Sequence, residues 1–320
     1  MQKTLFNRDV QNVAASAAVY RVHHQSGLFD YQGHDFALAY GGEGLLKSDF
    51  QKVHKGQADT ATQVRFHEAY GLGPESFHAM MRTVGVGTNI LIKDGDGTNG
   101  NLHIPMVGRT QDGPDGTVAL GKQSRAAGGA YGCLAASGYR ELQEEFICAR
   151  DMNGDVTIYD LDYEDDHLSS HTKTQILAQK QSDIQKIMQT YGLNDQGIKF
   201  ETLKGRVLKV PGLTTDITQN IDGAVSTLSN RVLTDNPNAG DFAGVDTVVY
   251  VQLPKGMTAT KDLIIRDGET NFDGDLLKRQ WTLASAEQWI SQVKEGMPMS
   301  PAPKKVFDNW DKVSPVIRRL

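Results

Sequence analysis

The chain has 320 residues, enough for one large domain or two ordinary ones, and its 39% apolar and 22% charged residues suit a folded protein with a sizeable core. A formal net charge of −6 argues against a broad nucleic-acid-binding face. No run reaches the roughly 18–20 apolar residues of a membrane span, and the N-terminus lacks the apolar segment of a signal peptide, so the expected location is the cytoplasm. Cys133 and Cys148 are too few for a disulfide framework and lack zinc-site spacing; both are expected reduced and packed as small apolar side chains.

In chain order, residues 1–85 have weak periodicity: an Ala-rich start from Val13 to Val22, a short strand over Phe36 to Tyr40, and a helix over Asp59 to Tyr70. They are read as an N-terminal subdomain with no assigned role. The pattern sharpens at the strand Asn89 to Lys93, the turn Asp94-Gly95-Asp96-Gly97 and the strand Leu102 to Val107. A short strand near Val118 to Leu120 follows, then the Gly128-Gly129 pair and an amphipathic helix over Leu134 to Arg150. Next come the turn Asp151 to Gly154, the strand Val156 to Leu161, a helix over Thr172 to Tyr191 and a strand-like run over Lys199 to Val210. A polar stretch from Thr214 to Gly244 reads as part of an insertion spanning about 165–245. The apolar run Thr247 to Val251 reads as a buried strand. It is followed by an acidic loop over Asp267 to Asp275, a strand over Arg279 to Leu283, a helix from Ser285, and a C-terminal helix over 306–320 interrupted at Pro315.

Chemistry concentrates on the first long helix. Residues three and four apart share a helix face, so Glu141, Glu144 and Glu145 project together while Leu142 and Phe146 turn to the core. Three like charges repel, and hard oxygen donors favour Mg2+ or Mn2+. Arg140 beside them can hold a carboxylate or meet a phosphate with its planar fork. The alternative from composition alone is a solvated helix face.

The hexamer Arg140-Glu141-Leu142-Gln143-Glu144-Glu145 resembles the metal-binding half of the Nudix box, a chance match of about one in a thousand at average residue frequencies. The flanks depart from that pattern. Gly132 stands where the family places a Glu, Ala126 where it places a Gly, and Ile147-Cys148 where it places Gly and an apolar residue. Taking Gly129 as the opening glycine makes the loop before the helix three residues short. The order Thr247 to Val251, acidic loop, Arg279-Gln280-Trp281 and helix Ser285 to Ile290 is similar to the family's closing elements.

The resemblance implies an α/β fold, a Nudix-like α/β/α sandwich with a mixed sheet over 86–305. It also implies magnesium-dependent hydrolysis of a nucleoside diphosphate linked to another moiety, of the ADP-ribose, NADH or nucleotide-sugar type. Glu141, Glu144 and Glu145 are the implied metal ligands, Arg140 and Glu141 catalytic residues, and Glu269, ahead of Asp273 and Asp275, the candidate base. The implied partner is a nucleotide-type small molecule, with a homodimer possible. The departures at Gly132, Ile147 and Cys148 motivate the alternative of an inactive Nudix-like binding or interaction module.

Two weaker patterns are read structurally. Asp151 to Asp162 imitates a calcium loop but holds Val156 where the sharp turn needs Gly, so a hairpin turn is expected. His167 and His171, four apart, lack a third ligand with suggestive spacing. Trp281 and Trp289 are expected in the core.

Overall fold

A computed structural model describes residues 19–22, 36–39, 59–61, 81–96, 100–108, 122–129, 134–192, 197–221, 224–236, 242–268, 276 and 279–320. Its centre is a parallel pair, β3 (Met81–Lys93) and β12 (Phe242–Gln252), in continuous register from Thr83↔Phe242 to Lys93↔Gln252. Ile90, Leu91, Ile92, Val248, Val249 and Val251 are all buried, as unbroken apolar runs are when both faces of a strand are covered.

Strands join this pair on both sides. β11 (Ala224–Asn236) and β9 (Lys199–Val207) run antiparallel to β12 at its two ends. β8 (Asp155–Tyr163) lies parallel to β9, followed outward by β7 (Ile147–Met152) and β13 (Ile264–Arg266), each antiparallel to its neighbour. From β11 the sheet continues through β10 (Thr215–Ile221), β1 (Val19–Val22) and β2 (Phe36–Ala39) back to β3, so it curls on itself. β3 also pairs with β4 (Leu102–Gly108) and β6 (Ala126–Gly129); β4 in turn pairs with β5 (Gln123–Ser124) and β14 (Trp281–Ser285).

Helices cover both faces. On one, α1 (Leu134–Glu145) packs over β3 and β6 with α2 (Ser170–Thr190) beside it. Its core includes Val86, Ile90, Leu134, Tyr139, Leu142, Phe146 and Val249. The short α3 (Ala259–Asp262) precedes β13. On the other face, α4 (Ala286–Lys294), α5 (Pro301–Asp308) and α6 (Trp310–Ile317) close a core of Leu91, Met106, Val248, Trp289, Phe307 and Val313. The architecture is mixed α/β with a mixed sheet between helices, as expected. No helix among the described residues is long and apolar enough to cross a membrane.

Several local expectations hold. The Asp151–Gly154 turn closes a two-residue hairpin with Asn153 at φ 59° and Gly154 at φ 94°, and Asp151 accepts from the Gly154 N–H at 2.9 Å. Trp289 is buried and donates to the Ile104 carbonyl at 2.8 Å. Others are corrected. The helix read to Arg150 ends at Glu145, because Phe146-Ile147-Cys148-Ala149 is a continuous apolar run that the β8 ladder captures as strand. The polar Thr214–Gly244 stretch, read from its turn residues as part of an insertion with no strand assigned, forms β10, β11 and the start of β12. The final helix is two, α5 and α6, meeting at Asn309, with Pro315 inside α6. The expected strand at 118–120 and most of the helix at 59–70 lie outside the described residues.

Candidate active site

Four residues separate β6 from α1, whose apolar positions Leu134, Ala135, Tyr139 and Leu142 recur at helical spacing and are buried. Phe146 donates the last helical bond to the Leu142 carbonyl at 3.0 Å and packs edge-to-face on Trp281, ring centroids 5.2 Å apart. This pins the C-terminal turn of α1, where the hexamer lies, between β6 and the start of β14.

The three glutamates are not a solvated face. Glu141, Glu144 and Glu145 are 3%, 1% and 1% exposed, a burial that carboxylates tolerate only when paired. Arg140 lies between two of them: its Nη2 donates to Glu141 at 3.3 Å, and its Nε is 3.6 Å from Glu144, an ion pair beyond hydrogen-bond range. Glu145 accepts from the Ala127 backbone N–H at 2.7 Å and from Arg279 Nη2 at 2.9 Å. Arg279 also donates through Nε to buried Asp267, whose carbonyl accepts from Tyr191 at 2.8 Å. Arg140 thus bridges Glu141 and Glu144, and Arg279 bridges Glu145 and Asp267, so the four buried carboxylates of this acidic group are tied in two pairs.

The glycine pair before the helix has a specific task. A Cβ on Gly128 would lie 2.2 Å from a Glu141 carboxylate oxygen, so only glycine lets that carboxylate rest on the β6 backbone. Gly129 is the last residue of β6, opposite Gly85, and so opens the connection into α1.

A second polar network holds α1 from behind. Gln143 donates to the Leu161 carbonyl at 2.7 Å and accepts from Lys180 of α2 at 2.9 Å. Lys180, fully buried, also pairs with Asp160 of β8 at 2.9 Å. Beyond it, Asp162 receives Lys173 at 3.0 Å and Lys204 at 2.5 Å. Burial raises its pKa, but the hydrogen bonds from Lys204 and Lys173 outweigh that and leave it below the ordinary value of 3.8. Burial pushes the Cys148 thiol up to about 12, which keeps it an inert packing group; Cys133 lies outside the described residues.

Of the residues singled out in the sequence, Arg140 contacts Glu141 and Glu144, while Glu145 is held by Arg279 and the Ala127 N–H. Glu269, Asp273 and Asp275 lie outside the described residues. His167 meets the Thr227 carbonyl, and His171 is exposed on α2. The sequence assigns no site role to Asp267, Arg279 or Gly128; the signals were that Asp267 opens the acidic loop, that Arg279 follows it in the order similar to the family's closing elements, and that Gly128 belongs to the glycine pair before the helix. Carboxylate oxygens are the donor type that hard cations take. A carboxylate has about four lone-pair positions, so the two hydrogen bonds to Glu145 leave it able to coordinate. Among the described residues, no group of three or more His, Cys, Asp or Glu side chains is placed to hold a metal ion. Mg2+ does not require one, since it is usually held by one or two carboxylates, waters and substrate phosphates.

No family profile matches the sequence, and no curated protein matches it. Among solved structures, the fold is similar to a NUDIX hydrolase from Alicyclobacillus acidocaldarius, with 13% identity, coverage of 68% of this chain and 86% of that one, and a TM-score of 0.30.

Proposed function

We propose that the chain is a magnesium-dependent (or manganese-dependent) hydrolase of a nucleoside diphosphate linked to a second moiety, with the C-terminal turn of α1 as its catalytic element. The observation that carries this reading is the burial of Glu141, Glu144 and Glu145 at one end of a single helix, with Arg140 paired to the first two, on the hexamer that resembles the metal-binding half of the Nudix box. The cation would be held by carboxylates drawn from Glu141, Glu144 and Glu145, completed by water and substrate phosphate, and when bound it would neutralise diphosphate charge and activate the attacking water.

The chain's own side chains do the positioning. Arg140 orients Glu141 and Glu144 through charge-assisted contacts, and Arg279 with the Ala127 N–H fixes both oxygens of Glu145. Gly128 lets Glu141 sit against β6. Phe146 and Trp281 keep the turn from shifting. Glu269, two positions after Asp267 in sequence, remains the proposed base. A dinucleotide or nucleotide sugar is the favoured substrate, because the segments added to the core can build a larger pocket.

A second reading, a binding module without turnover, has its own observation. Ile147 and Cys148, which replace the Gly and apolar residue of the box, are buried in β7, and Arg279 already neutralises Glu145. Incubation with a panel of nucleotide diphosphate derivatives and Mg2+ separates the two. Release of a nucleoside monophosphate supports the hydrolase; binding without product supports the module.

A further inference from the structure

The acidic group leaves unused a pocket of about 470 Å³ at the far end of the β9–β12 seam, lined by Lys204, Arg206, Tyr250, Leu253, Pro254 and Leu320 among others. It shares no residue with the acidic group. Its origin is topological. β9 and β12 are paired at Val249↔Val207, Tyr250↔Arg206 and Val251↔Gly205, and there the ladder stops. β12 stays with β3, the Leu253 N–H donating to the Lys93 carbonyl at 2.9 Å, while Lys204 and Thr202 continue along β8. The diverging strands leave a slot.

Alternation places the right groups in it. Arg206 and Tyr250 are directly opposed, and Lys204 and Gln252 come two residues further along the same face. Tyr250 donates to Gln252 at 2.8 Å, which fixes the phenol at the pocket wall, and Gln252 in turn donates to the Asp94 carbonyl at 2.5 Å. Leu253, Pro254 and Leu320 give apolar walls. Asp162 offsets one of the two lysines it binds, Lys173 and Lys204; Arg206 has no ion pair among the described residues. The cations that line the slot are therefore Arg206 and Lys204, and a phosphate monoester, at roughly −1.5 to −2 at neutral pH, is the complementary charge. Ligand pockets of about 300–1,000 Å³ take small organic molecules.

The geometry points to a second ligand site here, for a small organic phosphate monoester whose phosphoryl group meets Arg206 and Lys204 and whose apolar part lies against Tyr250, Leu253 and Pro254. A guanidinium fork beside an ammonium suits a tetrahedral oxyanion. The site stands apart from the hydrolase reading and does not need it.

The test is calorimetric titration of the full chain at low salt with phenyl phosphate, inorganic phosphate, benzoate and phenol. Phenyl phosphate is expected to bind saturably and at least fivefold more tightly than the other three. Arg206→Gln and Lys204→Gln, both at exposed positions, should each weaken it about tenfold with unchanged circular dichroism, while Glu145→Gln should leave it unaltered. Absence of saturable binding overturns the site, as does equal affinity for benzoate or inorganic phosphate, retention of full affinity by Arg206→Gln, or loss of binding in Glu145→Gln.

Discussion

Gly128 and Glu141 show how one missing side chain can matter more than the charges around it. The clash that Gly128→Ala would create is with the far end of a flexible carboxylate, so the backbone need not move and the cost in stability should stay near 1 kcal/mol. The Glu141 carboxylate must leave its place, however. Magnesium-dependent turnover is therefore expected to fall at least tenfold while the melting temperature shifts by only a few degrees; parallel kinetics and thermal melts check this. Asp162 makes a different kind of prediction. Its lowered folded pKa means that its stabilisation is present above the ordinary value of 3.8 and is lost as pH falls through the lower folded value. Between pH 5 and pH 2.5 the wild type should lose more stability than Asp162→Asn, measured by urea unfolding at each pH.

At the scale of elements, α1 is held by groups that sequence periodicity cannot rank. Lys180 is fully buried and joins α2 to Gln143 of α1 and Asp160 of β8. Removing one partner of a buried pair typically costs about 3–5 kcal/mol because the other charge is stranded. Lys180→Met should therefore destabilise by about that amount, and adding Asp160→Leu should recover much of it, read as midpoints of denaturant unfolding. The same elements show what was legible. α2 was read to within two residues of its bounds because it begins at a Ser169 cap and carries no competing strand pattern. The end of α1 was overextended because Phe146 to Ala149 is apolar under either periodicity, and the β8 ladder decides it. β10 and β11 give no strand signal in the sequence, where they fall in the polar stretch assigned to the insertion, because their residues are mostly polar and turn-forming and their order comes from pairing with each other and with β1 and β12.

At the scale of the whole molecule, the hexamer was legible because six adjacent residues carry it. Its completion was not, because Arg279 is separated from Glu145 by 134 positions and no local pattern reports that distance. Closure of the sheet through β12 and β3 brings the parts together: α1 lies over β3 and β6, and the chain from β13 to β14 passes Asp267 and Arg279 beside its last turn. The central claim is that this assembly works as a magnesium-dependent hydrolytic site. Its most direct test is release of nucleoside monophosphate from nucleotide diphosphate derivatives, compared between wild type and Glu145→Gln with Mg2+ and with chelator, alongside circular dichroism. The account predicts product from the wild type with Mg2+, none with chelator, and none from a folded Glu145→Gln protein. Undiminished turnover by Glu145→Gln, or no product from the wild type on any substrate, would contradict it.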